Sequence, residues 1–300
     1  MILITGAGGK TGRALLRQLV HQGQPVRALV RRESQADSLQ EMGAAEAIIA
    51  DLLDPASMEP AFSGVTAVYH IPPNIHPQEE LIGEIAIKLA NQNDVAHFVY
   101  HSVLRPYIRS MPHHIQKARV EERLFTSGIP FTILQPAAYM QNTLPGLGTA
   151  RDEGVFRVPY PLDTPMGMVD LDEVAEVGAG VMNNPVHFGA TYELSGDEIL
   201  TPANIAQHME AALGKSVSAE EIDLETWQRG AEQAGMSPYQ IETLLKMFHY
   251  YAEYGFWGNA NTLSVLLGRS PKTYADFLAG RLLSAGQRRH GARRISARTR

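Results

Sequence analysis

At 300 residues, with 44% hydrophobic and 19% charged side chains, the chain can bury a sizeable core and has the composition of an ordinary globular protein. It contains no cysteine, which excludes a disulfide framework, thiolate metal ligands and a cysteine nucleophile. Its net charge is −6, and because residues 286–300 hold six arginines and no acid, the remainder is more acidic still, which argues against a nucleic-acid-binding surface on the folded part.

MILIT (1–5) reads as a buried strand rather than a targeting signal, since it lacks a basic leader and glycines interrupt it at once. Residues 11–22 place Leu15, Leu16, Leu19 and Val20 on one helical face, and Gly23 ends that helix. The pattern then repeats. Strands are expected at 25–31, 45–51, 65–71, 97–103 and 130–139, with helices near 34–42, 55–62, 77–92 and 113–127. Such alternation predicts an α/β fold, a doubly wound parallel-sheet Rossmann fold over residues 1–145. Beyond 145 the rhythm changes: 191–196 suggests a strand, and 201–213, 224–234 and 237–254 suggest helices. Residues 146–280 are read as a small mixed C-terminal lobe covering a substrate, with parts of 160–195 returning to the core. The arginine-rich end is read as a solvated tail. No apolar run approaches the roughly 18 residues that a membrane span requires, so a cytoplasmic protein without a membrane partner is expected.

Chemistry concentrates first in TGAGGKTGR (5–13). Gly6, Gly9 and Gly12 stand at G-x-x-G-x-x-G spacing between a strand and a helix. A backbone without Cβ atoms lets a pyrophosphate approach, and the helix N-terminus offers it unpaired N–H groups. Gly8 adds freedom, while Lys10 and Thr11 offer a charge and a hydroxyl. A Walker loop is excluded, because residue 4 is Ile where that motif needs glycine. The second strand ends in Arg31-Arg32 rather than in an acidic residue. A guanidinium there suits a 2′-phosphate, so NADP(H) is expected in preference to NAD(H). Asp51 and Leu52, at the end of the third strand, are placed for the adenine end. The scattered histidines show no helical ligand pair with a carboxylate, so no metal site is expected.

Read together, MILITGAGGKTGRALLRQL, VYHIPPN (68–74), HSVLRP (101–106), HHIQKARVEERLFTSGIPFTILQPAAYMQN (113–142) and FHYYAEYGFWGNANTLSVLLGRSPKTYADF (248–277) resemble the NmrA-like family of atypical short-chain dehydrogenases/reductases. The resemblance implies a cleft between a Rossmann core and a C-terminal lobe. It implies either an NADPH-dependent reductase of a quinone-, imine- or enone-like small molecule, or a dinucleotide-binding redox sensor that signals through a protein partner. Ordinary short-chain dehydrogenases use Tyr-x-x-x-Lys with a serine; here Ser102 and Lys117 match, but His113 stands where the tyrosine belongs. His113, its neighbour His114 or Lys117 itself is then the proton donor. By the same resemblance Ile71, Pro72 and Pro73 pass beneath the nicotinamide ribose, and Pro136 and Tyr139 line the nicotinamide end. Asn74, Tyr139 and Asn142 are assigned to the substrate. The aromatic run from Phe248 to Trp257 is read mainly as packing of the C-terminal lobe.

Overall fold

The computed structural model describes residues 1–182 and 184–283; the arginine-rich tail lies outside them. The first part of the chain alternates as its hydrophobic pattern demands. It runs β1 (Ile2–Ile4), α1 (Lys10–His21), β2 (Val26–Val30), α2 (Glu33–Glu41), β3 (Glu46–Ile49) and α3 (Pro55–Phe62). Then follow β4 (Ala67–His70), α4 (Glu79–Gln92), β5 (His97–His101), α5 (Pro112–Phe125) and β6 (Phe131–Pro136). The expected sixth strand, 130–139, is divided. After Pro136 the chain leaves the main sheet, and β7 (Ala138–Tyr139) pairs instead with β9 (Met166–Val169).

The second part, for which the sequence indicated less, continues with α6 (Leu144–Glu153), β8 (Val155–Val158), β9, α7 (Leu171–Val181) and β10 (Ala190–Leu194). It ends with β11 (Ile199–Leu200), α8 (Pro202–Leu213), β12 (Ser218–Glu221), α9 (Leu224–Gln233), α10 (Pro238–Tyr254) and α11 (Asn261–Leu267).

The main sheet has seven strands in the order β10-β6-β5-β4-β1-β2-β3, all parallel. It is a doubly wound Rossmann sheet whose order reverses between β1 and β4. Strands β1, β4 and β5 are buried along their whole length, as a parallel sheet covered on both faces requires. Alternation divides their side chains between two cores. Ile4 and Tyr69 pack with Leu15 and Leu16 of α1 and Val174 of α7. Leu3, Val68 and Phe98 face Phe62, Ile82, Ile85 and Val120 on α3, α4 and α5. Each such buried side chain contributes roughly 1.5–3 kcal/mol, so the sheet and its strand ends form a stiff platform. A third core around Phe156, Met168, Met209, Tyr274 and Phe277 holds the C-terminal elements together. Pairing of Lys272 with Asp170 and of Arg269 with Glu173 ties those elements to α7. Among the described residues no helix is long and apolar enough to cross a membrane.

Candidate functional site

A cleft of about 470 Å³ opens over the C-terminal ends of β1, β2, β4, β5 and β6, at the point where the strand order reverses. One end is made of backbone. Gly6 has φ +60°, and a Cβ there would lie 2.6 Å from the Ile71 carbonyl oxygen. At Gly12 it would lie 2.5 Å from the Ala7 Cα. Neither position can carry a side chain without moving main chain, so both glycines are set by close approach. The Gly9 amide closes the turn on the Gly6 carbonyl at 3.1 Å. No side chain caps the start of α1, which leaves its first N–H groups and its positive dipole end directed at the cleft. Gly6, Gly8, Gly9, Lys10 and Thr11 line this end, with Arg31 and Gln35 beyond them. These are the features a dinucleotide pyrophosphate needs.

Arg32 stands at the N-cap just before α2 and does not line the cleft. Asp51 stands outside it too, its carboxylate accepting from the Leu53 amide at 3.0 Å, while Leu52 reaches in. Gln35 gave no signal in the sequence. It fills the space above Gly8, where a Cβ would meet its amide nitrogen at 2.6 Å.

The other end is made of side chains. Ile71, Pro72, Pro73, Asn74, Ser102, His113, Lys117, Pro136, Tyr139 and Asn142 all line it. Lys10 donates to the Asn142 side-chain oxygen at 2.6 Å and lies 5.3 Å from the centre of the Tyr139 ring, joining the two ends. Lys117, on α5, does not pair with Glu121 one turn along its own helix. It reaches across to Glu79 at the start of α4, at 2.6 Å. Glu79 has no solvent exposure. Burial pushes its carboxyl up, and the Lys117 ammonium pulls it back down. Ser102 donates to Glu121, whose two oxygens also accept from the Gln135 amide at 2.9 and 3.0 Å. Glu79 and Glu121 are the residues that sequence reasoning missed. Acidic residues at a helix start or four residues after a lysine are common on solvated helix faces, so neither stands out in the sequence.

His113 is buried, its ring 4.6 Å from that of His114. Burial, with His114 and Lys117 nearby, pushes its pKa down to about 2. The ring is therefore neutral near pH 7 and has no imidazolium proton to give. His114 is pushed to about 4 by burial and is held through Nδ1 to the Arg105 carbonyl at 3.1 Å. A second buried chain runs beneath Tyr139. The Tyr69 hydroxyl is 2.9 Å from His101 Nδ1, and His101 Nε2 is 2.5 Å from the Tyr139 hydroxyl. Leu244, Met247, Tyr251 and Phe256 close the cleft from the C-terminal side. Tyr251 and Phe256 belong to the aromatic run the sequence assigned mainly to packing; Leu244 and Met247 carried no signal. Among the described residues no group of His, Asp and Glu side chains could hold a metal ion.

The model of the NmrA-like family matches residues 1–276. The NAD(P)H azoreductase of Xenophilus azovorans is 26% identical over 279 residues, covering 92% of this chain and 96% of that protein. The NADPH-dependent quinone oxidoreductase of Escherichia coli, solved with NADPH, superposes with a TM-score of 0.82 at 25% identity, covering 94% of this chain and all of that one. The triphenylmethane reductase of Citrobacter sp. shares the fold, with a TM-score of 0.82 at 22% identity over 94% of this chain and 99% of its own.

Proposed function

The chain belongs to the NmrA-like family, and from that premise we propose that it is an NADPH-dependent oxidoreductase reducing a small, flat acceptor such as a quinone, imine or enone. One observation carries the reading. A glycine turn that admits no Cβ at Gly6 or Gly12 opens onto the same cleft as Ser102 and Lys117. When bound, the dinucleotide supplies a hydride. The chain's own residues do the rest. The α1 N-terminus, Lys10 and Thr11 would hold the pyrophosphate, and Arg31 with Gln35 would hold a 2′-phosphate, an interaction of roughly 1.5–3 kcal/mol. Lys117, positioned by Glu79, would hold the nicotinamide ribose. Leu244, Met247, Tyr251 and Phe256 would cover the acceptor and exclude water.

The missing tyrosine at position 113 favours a second reading, a dinucleotide-binding sensor that catalyses nothing. Titration with NADPH and NADH separates the steps. Arg31→Ala should weaken NADPH on the order of 10- to 100-fold and leave NADH unchanged. Turnover then decides between the readings: reduction of a quinone by the wild type with NADPH supports the enzyme. No reduction across a panel of acceptors supports the sensor.

A further inference from the structure

Reduction of a quinone or carbonyl needs a proton as well as a hydride, and the cleft lacks the usual tyrosine to give it. His113 is neutral, and Lys117 is engaged by a fully buried carboxylate. Two hydroxyls in the cleft have buried partners: burial pushes the Tyr139 hydroxyl up and holds His101 behind it at about 3, so no imidazolium backs it, whereas the Ser102 hydroxyl backs onto a carboxyl. Ser102 lines the cleft and is hydrogen-bonded to Glu121, which is 6% exposed. The direct partners of Glu121 are the Ser102 hydroxyl and the Gln135 amide, both neutral. The charged groups around it are Lys117 on its own helix and, through Lys117, Glu79; Tyr100 on β5 faces both glutamates. The lone ammonium is already matched by Glu79, so an ionised Glu121 would leave this buried cluster one negative charge in excess.

We infer that Glu121 holds a proton and delivers it through Ser102 to the reduced acceptor. The inference rests on the oxidoreductase reading above. With Glu121 protonated, its O–H donates to Ser102 Oγ, and the Ser102 hydrogen turns into the cleft. The acceptor takes a hydride from the reduced dinucleotide, which is oxidised, and gains its proton as the Ser102 O–H bond breaks. The Glu121 O–H bond breaks in turn to restore the Ser102 hydroxyl. After product leaves, the Glu121 carboxylate regains a proton from water by the same route. Burial pushing the Glu121 carboxyl upward agrees with this assignment. Glu121 acts through Ser102 and touches no substrate; Ser102 is the catalytic residue of the pair.

The test uses two acceptors that differ in one respect. A quinone needs both hydride and proton, whereas a cationic triarylmethane dye is neutralised by hydride alone. Glu121→Gln and Ser102→Ala should lower quinone reduction relative to dye reduction on the order of 100-fold, the ratio of the two rates being the readout. The alkaline limb of the quinone pH–rate profile should vanish in Glu121→Gln. Equal losses on quinone and dye would make the pair structural and overturn the proposal, as would no loss on either. An independent measurement needs no turnover. The infrared difference between wild type and Glu121→Gln should show a protonated carboxyl near neutral pH, and a carboxylate there would overturn the inference. If the wild type reduces neither acceptor, the oxidoreductase reading fails, while the infrared result still decides whether Glu121 carries a proton.

Discussion

The two ends of the cleft are built from different materials. The end at Gly6–Gly12 is main chain: a turn, a helix start and two positions where a Cβ would strike backbone. The end at Ser102, His113 and Lys117 is a mosaic of side chains from β5, α5, β6, β7 and α10, backed by Glu79 on α4, much of it titratable and buried. A backbone site is fixed once its glycines are fixed. A side-chain site depends on the charge state of each neighbour, so pH and single charge changes should act mainly on the second end.

Acid gives the largest expected effect. Burial holds His70 at about 3, His97 at about 4, His101 at about 3, His113 at about 2 and His114 at about 4. The unfolded chain takes up these protons near 6.5 and the fold does not, so stability is full above 6.5 and falls as pH drops below it. Each proton contributes about 1.4 kcal/mol per pH unit over its window. The raised carboxyls Glu79 and Glu121 work oppositely, since the fold keeps their protons longer than the unfolded chain, but the lowered groups outnumber them. Thermal unfolding between pH 7.5 and 5 should show the melting temperature falling steeply, and less steeply in His97→Gln. A flat profile would mean that the rings are open to water.

Breaking the Lys117–Glu79 pair comes next. Lys117→Ala strands a carboxylate with no exposure, a loss of about 3–5 kcal/mol. Urea unfolding should show that loss at pH 7.5 and a smaller one at acid pH, where Glu79 takes up a proton. Lys117→Met combined with Glu79→Gln should recover most of it. If the double variant is no more stable than Lys117→Ala, the pair is not the cause.

At the backbone end, Gly6→Val combines the left-handed φ of +60° with a 2.6 Å approach to the Ile71 oxygen. We expect NADPH affinity to fall about 100-fold, or roughly 2.7 kcal/mol, by fluorescence titration. Retained affinity would make the turn merely structural.

The same contrast explains what could be read from the sequence. Alternating strands and helices through β6 were legible because each buried face repeats with its own period, and the glycine turn was legible because its chemistry needs one residue type at fixed spacing. Division of the sixth strand at Pro136 was not, since Ala138 and Tyr139 carry the same apolar pattern whether they extend β6 or pair with β9. The strand suggested at 191–196 became β10, but its place beside β6 is a tertiary fact. Glu79 and Glu121 were illegible for a physical reason. A glutamate near a helix start or four residues after a lysine looks solvated until the helix opposite it is in place.

The smallest expected effect lies where α10 meets the cleft. Met247 is partly buried and lines the cleft with Tyr251, one turn along α10. Its thioether can fill a flat acceptor's contour without fixing an orientation. Met247→Ala removes contact worth about 1 kcal/mol, which should raise KM for a quinone roughly fivefold. NADPH affinity should stay constant, because no phosphate or ribose contact is touched. A change in NADPH affinity without a change in KM would place the dinucleotide, rather than the acceptor, beneath α10. That outcome would reverse the order of the two ends on which the comparison rests.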